Sequence, residues 1–110
     1  WGWVVPLAIA TGNTVVLKAA SLTPLTSMRI LELFYEEGGF PKGVVNLVTC
    51  SRNEAELFLT DPRVKAVTFV GTTDVGKHIY SVASANGKRV QAQCEAKNHA
   101  LVLADWLRSL

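Results

Sequence analysis

The sequence predicts an α/β fold, a Rossmann-like open and mostly parallel sheet with helices on both faces. Short runs of β-branched and apolar residues alternate with segments of helical periodicity along the 110 residues. The links between these segments are short and contain glycine, proline or asparagine. The first such run, residues 14–17, shows no polar alternation, which is typical of a strand covered on both faces. Alternating strands and helices with short links favour parallel pairing within a single domain.

The first half of the chain contains clear signals for helix starts. Pro6 lies in the first turn of a helix predicted over residues 6–11, which we expect to be buried. Lys18 follows the first strand at its carboxyl end. Thr23 is the predicted N-cap of the next helix, with Pro24 at its first position. Further segments are predicted as strands at residues 44–48, 66–70, 88–93 and 100–103, and as helices at residues 53–59 and 74–85.

Composition excludes several classes of function. The net charge is only +2 and no basic stripe with interleaved aromatic residues occurs, so nucleic acid is not expected as a partner. No apolar run reaches membrane-spanning length, so no membrane association is expected. Cys50 and Cys94 lie far apart without metal-ligand spacing, so no metal site is predicted. They are typical of reduced thiols in an intracellular protein, which leaves both cytoplasm and mitochondrion open.

The first residue is Trp1 rather than Met, and residues 104–110 resemble an interrupted helix. We therefore expect a piece of a longer chain, the alternative being a small protein that lost its Met by processing.

Residues 64–78 combine a strand, a glycine turn and a helix start. The strand ends before Gly71, where the chain can turn without a Cβ clash. Thr72 and Thr73 offer N-cap hydroxyls, and Asp74 lies in the first helical turn, where a carboxylate suits the helix dipole. A helix N-terminus preceded by glycine presents free backbone N–H groups, which favour phosphate. We expect this turn to bind the pyrophosphate of a dinucleotide.

Lys18 and the pair Gly71 and Thr72 both fall at the carboxyl ends of predicted strands, where open α/β sheets bind ligands. A lysine at this position can donate to sugar hydroxyls or phosphate oxygens. From spacing alone, a solvated lysine at residue 18 is as good an interpretation as a ligand-binding one. The same holds for a plain helix cap at residues 71–73. Gly71 and Gly76 do not complete a dinucleotide fingerprint.

Four ordered motifs resemble the aldehyde dehydrogenase superfamily over nearly the whole chain. A further stretch is similar to its coenzyme A-acylating, methylmalonate-semialdehyde branch. The four motifs are residues 10–18, 23–26, 39–46 and 69–76, and the branch motif comprises residues 87–93 and 96–99. The resemblance implies that residues 1–110 are part of an NAD(P)-binding domain whose parent oxidises an aldehyde through a cysteine thiohemiacetal and a thioester. It also implies a parent that is a homo-oligomer.

The resemblance assigns cofactor-binding roles to five positions. Lys18 matches the lysine that bonds the adenosine ribose, and Gly71 and Thr72 match the glycine–serine pair at the pyrophosphate. Val75 matches a residue beside the adenine. Ser21 stands where many members have a glutamate that holds the ribose hydroxyls, so NAD is expected and NADP stays open.

The resemblance places no catalytic residue in this chain. The catalytic cysteine of the family lies further along, and neither Cys50 nor Cys94 occupies its position, so the isolated chain is expected to be inactive. Gln93 stands at the general-base position, where an amide cannot take a proton from water at neutral pH. This agrees with coenzyme A, rather than water, as the acyl acceptor. Cys94 is expected in the core and Glu95 in solvent.

Two alternatives remain open from the sequence. One is a related NADPH-dependent acyl-phosphate reductase, which has the same fold. The other is a non-catalytic remnant or an α/β protein-binding module, which the absence of catalytic residues favours.

Overall fold

The computed structural model describes residues 1–95 and Lys97, which divide into a first unit, Trp1–Lys65, and a second unit that begins at Ala66. Each unit contains a two-stranded parallel sheet and at least one helix, which confirms the predicted α/β class. The predicted strand at residues 100–103 lies outside the described residues. The helices are α1 (Val5–Ala10), α2 (Pro24–Glu36), α3 (Arg52–Ala55), α4 (Leu57–Thr60) and α5 (Thr73–Ala85), and the strands are β1 (Val15–Lys18), β2 (Val45–Val48), β3 (Ala66–Val70) and β4 (Arg89–Gln93).

The first unit is built around the parallel pair β1 and β2. Val15 lies opposite Val45 and Lys18 lies opposite Val48, so the two strands end at the same edge. Parallel strands need a crossover connection, which α2 provides here. The α2 helix begins at Pro24, directly after Thr23, as the sequence predicts.

Tyr35 on α2 ties this helix to β2. Its hydroxyl accepts a hydrogen bond from the Val45 N–H at 3.2 Å and donates one to the Val45 carbonyl oxygen. Val45 is almost completely buried, so a phenol supplies both partners that its backbone would otherwise lack.

Two predictions of burial in the first unit are wrong. Val16 on β1 is 51% exposed, so that face of the strand is open among the described residues. In α1 the first residue, Val5, is buried, whereas Leu7 is 70% exposed. Side chains alternate between the faces of a strand and rotate around a helix, so one covering layer leaves the other face in solvent.

The single helix predicted at residues 53–59 is instead two short helices, α3 and α4. The interruption lies at Glu56, whose N–H bonds to the Asn53 carbonyl oxygen at 3.3 Å. The Leu59 N–H in turn bonds to the Glu56 carbonyl oxygen at 2.9 Å. Bonds that span three residues tighten the backbone and break a regular α-helix.

The second unit has the order β3, α5, β4, with β3 and β4 parallel from the pair Ala66 and Arg89 to the pair Val70 and Gln93. The face of α5 toward the strands carries two small buried residues, Gly76 and Ala83. The helix ends at Ala85, and Gly87, with a φ of 70°, provides the left-handed backbone that turns the chain into β4.

Within residues 1–95 and Lys97, no helix combines the length and the apolar character needed to cross a lipid bilayer.

Candidate functional site

In the second unit the chain passes from β3 to α5 through Gly71 and Thr72. The Gly71 N–H donates to the Gln93 carbonyl oxygen at 3.1 Å, so the turn leaves the sheet one residue after the strand ends. Thr72 has an extended backbone with φ −68° and ψ 152° and is the N-cap of α5. This is the strand, turn and helix order that the sequence predicts for residues 64–78.

Gly71 is required for space rather than for a left-handed backbone. Its φ is not among the positive values found at Gly12, Gly39, Gly43 and Gly87. A Cβ on Gly71 would lie 2.6 Å from the Cζ atom of Phe69. The Phe69 ring therefore packs against Gly71, and any side chain at residue 71 would displace the ring.

The N-terminus of α5 has backbone donors without helical acceptors. The N–H groups of Thr73, Asp74 and Val75 lie in the first turn of α5, where the helix has no preceding carbonyl group to accept them. The Thr72 side chain makes no cap hydrogen bond, which differs from the predicted cap role. The hydroxyl and these N–H groups can therefore all serve an external anion.

The remaining electrostatics of this turn are mixed. Asp74 is exposed in the first helical turn, where its carboxylate interacts favourably with the helix dipole but repels a bound anion. Water and salt screen a charge that is fully in solvent. Val75 is half-buried in the same turn and adds an apolar side chain next to the donors.

In the first unit, Lys18 is the last residue of β1, and Ser21 lies on the segment that follows this strand. Lys18 is half-buried, and its Nζ donates to the Ala19 carbonyl oxygen at 3.3 Å, a long bond that leaves other N–H donors of the ammonium group for a ligand. Ser21 is exposed in the turn before α2. The segment after β2 starts from the same end of the sheet and leads to the exposed cation Arg52, the first residue of α3.

The capping box of α3 fixes the loop after β2. The Ser51 Oγ accepts from the Glu54 N–H at 3.3 Å, and the Glu54 carboxylate accepts from the Ser51 N–H at 2.7 Å. Hydrogen bonds from the Ser51 side chain, and then from its backbone, lower the pKa of the Glu54 carboxyl.

The five predicted cofactor-binding residues thus fall into two sets, one in each unit. Lys18 and Ser21 belong to the first unit, and Gly71, Thr72 and Val75 form a single turn of the second. Within the described residues, no group of three or more His, Cys, Asp or Glu side chains is placed to hold a metal ion.

The residues flanking the predicted base position lie at the end of β4. Gln93 is half-buried opposite Val70, and Glu95 is exposed, as the sequence indicates. Cys94 is a half-buried free thiol whose Sγ lies against Gly76 of α5. Sequence reasoning missed this contact, although a glycine inside the helical pattern at residue 76 was a usable signal of close packing.

Comparison with known proteins identifies the family of this chain. The model of the aldehyde dehydrogenase family matches residues 1–106. The chain belongs to the aldehyde dehydrogenase family. Malonate-semialdehyde dehydrogenase 1 of Oceanobacillus iheyensis is 54% identical over 103 residues, which are 94% of this chain and 21% of that protein. This chain therefore corresponds to 21% of the length of that relative.

Solved aldehyde dehydrogenase structures share the fold. Methylmalonate-semialdehyde dehydrogenase from Oceanimonas doudoroffii matches with a TM-score of 0.81 and 46% identity, over 88% of this chain and 20% of that one. A structure from Sinorhizobium meliloti, complexed with NAD, matches with a TM-score of 0.81 and 39% identity over the same shares, 88% and 20%. These relatives confirm the family that the sequence motifs indicated, and two of those named above are semialdehyde dehydrogenases.

Proposed function

We propose that residues 1–110 belong to the cofactor-binding domain of an NAD-dependent semialdehyde dehydrogenase of the acylating type. The observation that carries this proposal is the uncapped N-terminus of α5, directly after β3 and Gly71. The aldehyde dehydrogenase structure complexed with NAD, to which this chain is similar, supports a dinucleotide as the ligand.

The pyrophosphate of NAD fits the donors at this turn. Backbone N–H groups at a helix N-terminus point outward, and the helix dipole favours negative charge there. The Thr72 hydroxyl adds a donor because α5 does not use it. The Phe69 ring occupies the space that a Cβ on Gly71 would need, so glycine is the residue that fits this turn without moving the ring.

Lys18 and Ser21 are proposed to bind the adenosine ribose, and Val75 to lie beside the adenine. A half-buried ammonium group forms strong charge-assisted bonds to hydroxyl oxygens. Serine at residue 21 brings no negative charge, and Arg52 is an exposed cation at the first position of α3. This charge balance does not repel a 2′-phosphate, so NADP is a second ligand to be tested.

The acylating character of the parent is proposed from Gln93. Bound NAD would accept the electrons of aldehyde oxidation, and the acyl group would then have to leave the enzyme. A neutral amide at the end of β4 cannot remove a proton from water, so hydrolysis receives no base from this residue. Coenzyme A, which brings its own thiol, is therefore the proposed acyl acceptor.

The test is calorimetric titration of the full-length protein with NAD and with NADP, followed by product analysis with a semialdehyde in the presence and absence of coenzyme A. We expect binding of NAD and release of an acyl-coenzyme A ester. Absence of binding to both dinucleotides would show a non-catalytic remnant. Release of free acid without coenzyme A, at the same rate as product release with it, would refute the acylating proposal. The proposal of dinucleotide binding would then still stand.

A further inference from the structure

Gly76 and Cys94 form a tight steric pair in the second unit. A Cβ built on Gly76 would overlap the Sγ atom of Cys94. On its other side the same Cβ would meet the Phe69 ring, with Cε1 at 3.6 Å and Cδ1 at 3.7 Å, which is ordinary contact. Cys94, rather than Phe69, therefore sets the space available at this point of α5.

This pair adjoins the proposed pyrophosphate turn, because Gly76 is hydrogen-bonded to Thr72 and Cys94 follows Gln93. The Gly76 N–H donates to the Thr72 carbonyl oxygen at 2.9 Å, so the position of Gly76 determines that of the helix N-cap. Cys94 follows Gln93, whose carbonyl oxygen accepts the Gly71 N–H at 3.1 Å. The turn is thus fixed at Gly71 by a hydrogen bond to β4 and at Gly76 by contact with the residue after β4.

We propose that Cys94 is a positioning residue for dinucleotide binding. Its thiol occupies the volume that glycine leaves free at residue 76, and together they set the distance of the first turn of α5 from β4. An additional atom at this contact pushes the helix start outward and moves the first-turn N–H groups, because close-packed groups cannot absorb the overlap. Hydrogen bonds to the pyrophosphate weaken steeply when their geometry changes. This inference rests on the proposed function.

A double-mutant cycle in the full-length protein tests the pair. Gly76→Ala is expected to raise the Kd for NAD about tenfold, since small displacements of binding groups are costly. Cys94→Ala is expected to raise the Kd by a smaller factor, about threefold, because the first turn of α5 loses the contact that sets its distance from β4. The double variant Gly76→Ala with Cys94→Ala is expected to regain nearly all of the affinity, because the new methyl group takes the place of the sulfur.

Ser81→Ala, at an exposed position of the same helix, is the matched control and is expected to bind NAD as the unmodified protein does. Melting temperatures of all variants are measured alongside. If Gly76→Ala gives no soluble protein, Cys94→Val replaces it, because its extra methyl group crowds the same contact, and the same rise in Kd is expected.

The outcomes separate this inference from the proposed function. The inference is overturned if Gly76→Ala, or Cys94→Val in its place, binds NAD as tightly as the unmodified protein. It is also overturned if the double variant folds with the original melting temperature but keeps the weakened affinity. If the unmodified protein binds neither NAD nor NADP, the proposed function fails. The recovery of melting temperature in the double variant then decides whether the steric pair holds the helix.

Discussion

Among residues 1–95 and Lys97, three hydroxyl residues directly precede helices, and their side chains differ in the bonds they make. Ser51 accepts the Glu54 N–H at 3.3 Å, whereas Thr23 and Thr72 make no side-chain cap bond. Sequence cannot separate them, because serine and threonine both favour N-cap positions. The difference matters for function, since a hydroxyl that does not serve its own helix is available to a ligand.

Replacement of Thr72 by alanine separates binding from stability. We expect Thr72→Ala to weaken NAD binding by about 1 kcal/mol, roughly fivefold in Kd, through loss of one hydrogen bond. The melting temperature should stay unchanged because the hydroxyl makes no cap bond. Calorimetric titration and thermal unfolding measure the two effects. Thr72→Ser keeps the hydroxyl and is expected to bind as before, and a lower melting temperature without a change in Kd would contradict the assignment.

Replacement of Lys18 by alanine tests the ribose contact. If the ammonium group makes a charge-assisted bond to the dinucleotide, Lys18→Ala should cost about 1–3 kcal/mol of binding free energy. Lys42→Ala removes the same charge from an exposed turn of the same unit and should leave the Kd nearly unchanged. Titration of both variants with NAD compares them directly. Equal Kd values for the two variants would make Lys18 a bystander.

At the scale of elements, the sequence predicts most bounds because the signals are local. The strand Ala66–Val70 is observed as predicted, and α5 begins one residue before its predicted start. The break at Glu56 and the open face of Val16 were not predicted. The hydrogen bond from the Tyr35 hydroxyl to Val45 of β2 and the contact of the Cys94 sulfur with Gly76 of α5 were not predicted either. The Tyr35 and Cys94 features depend on contacts between separate segments, which a local pattern does not encode.

The candidate site shows the same division between local and distant information. Strand ends and glycine turns locate Lys18 and the turn from Gly71 to Thr72 in the sequence, and the structure places both at carboxyl ends of parallel strands. The steric reason for Gly71 is the Phe69 ring, which only the structure reveals. The roles of the individual residues come from family resemblance and stay predictions.

Helix capping gives a stability prediction at the element scale. Ser51→Ala should lower the free energy of unfolding by about 1 kcal/mol, whereas Thr23→Ala, at a helix start without a side-chain bond, should change it little. Denaturant unfolding at pH 7 measures both. Equal losses would contradict the difference in capping.

The Ser51 effect should also depend on pH. The folded pKa of Glu54 is lowered from its usual 4.5, so the charged carboxylate contributes stability above that pH. This contribution is lost as the pH falls through the lowered folded pKa, when the carboxyl is protonated. The stability difference between the unmodified protein and Ser51→Ala should therefore shrink on the acid side, and a difference that grows there would refute the interpretation.

At the scale of the whole molecule, a small buried core accompanies a large exposed apolar surface. In the described residues of the first unit, Leu22, two residues before α2, is 96% exposed, and Leu25, in the first turn of α2, is 75% exposed. Contiguous apolar side chains in solvent are unusual for a monomeric soluble protein. This chain spans 21% of the length of a curated relative, so a full-length protein of that size would have ample additional polypeptide to cover such a surface.

The isolated chain of 110 residues should therefore bind an environment-sensitive hydrophobic dye strongly and should not oxidise an aldehyde with NAD. The full-length protein should bind less dye per molecule and be active.

The Cys94 sulfur packs against Gly76 and Cys50 is half-buried after β2, so neither thiol is presented as a nucleophile. Leu22→Ser with Leu25→Ser should reduce dye fluorescence of the isolated chain, whereas Thr26→Ser, on the same exposed turn, should not. Aldehyde oxidation by the isolated chain would show that one of its own thiols can act, and would overturn the assignment of catalysis to another part of the enzyme.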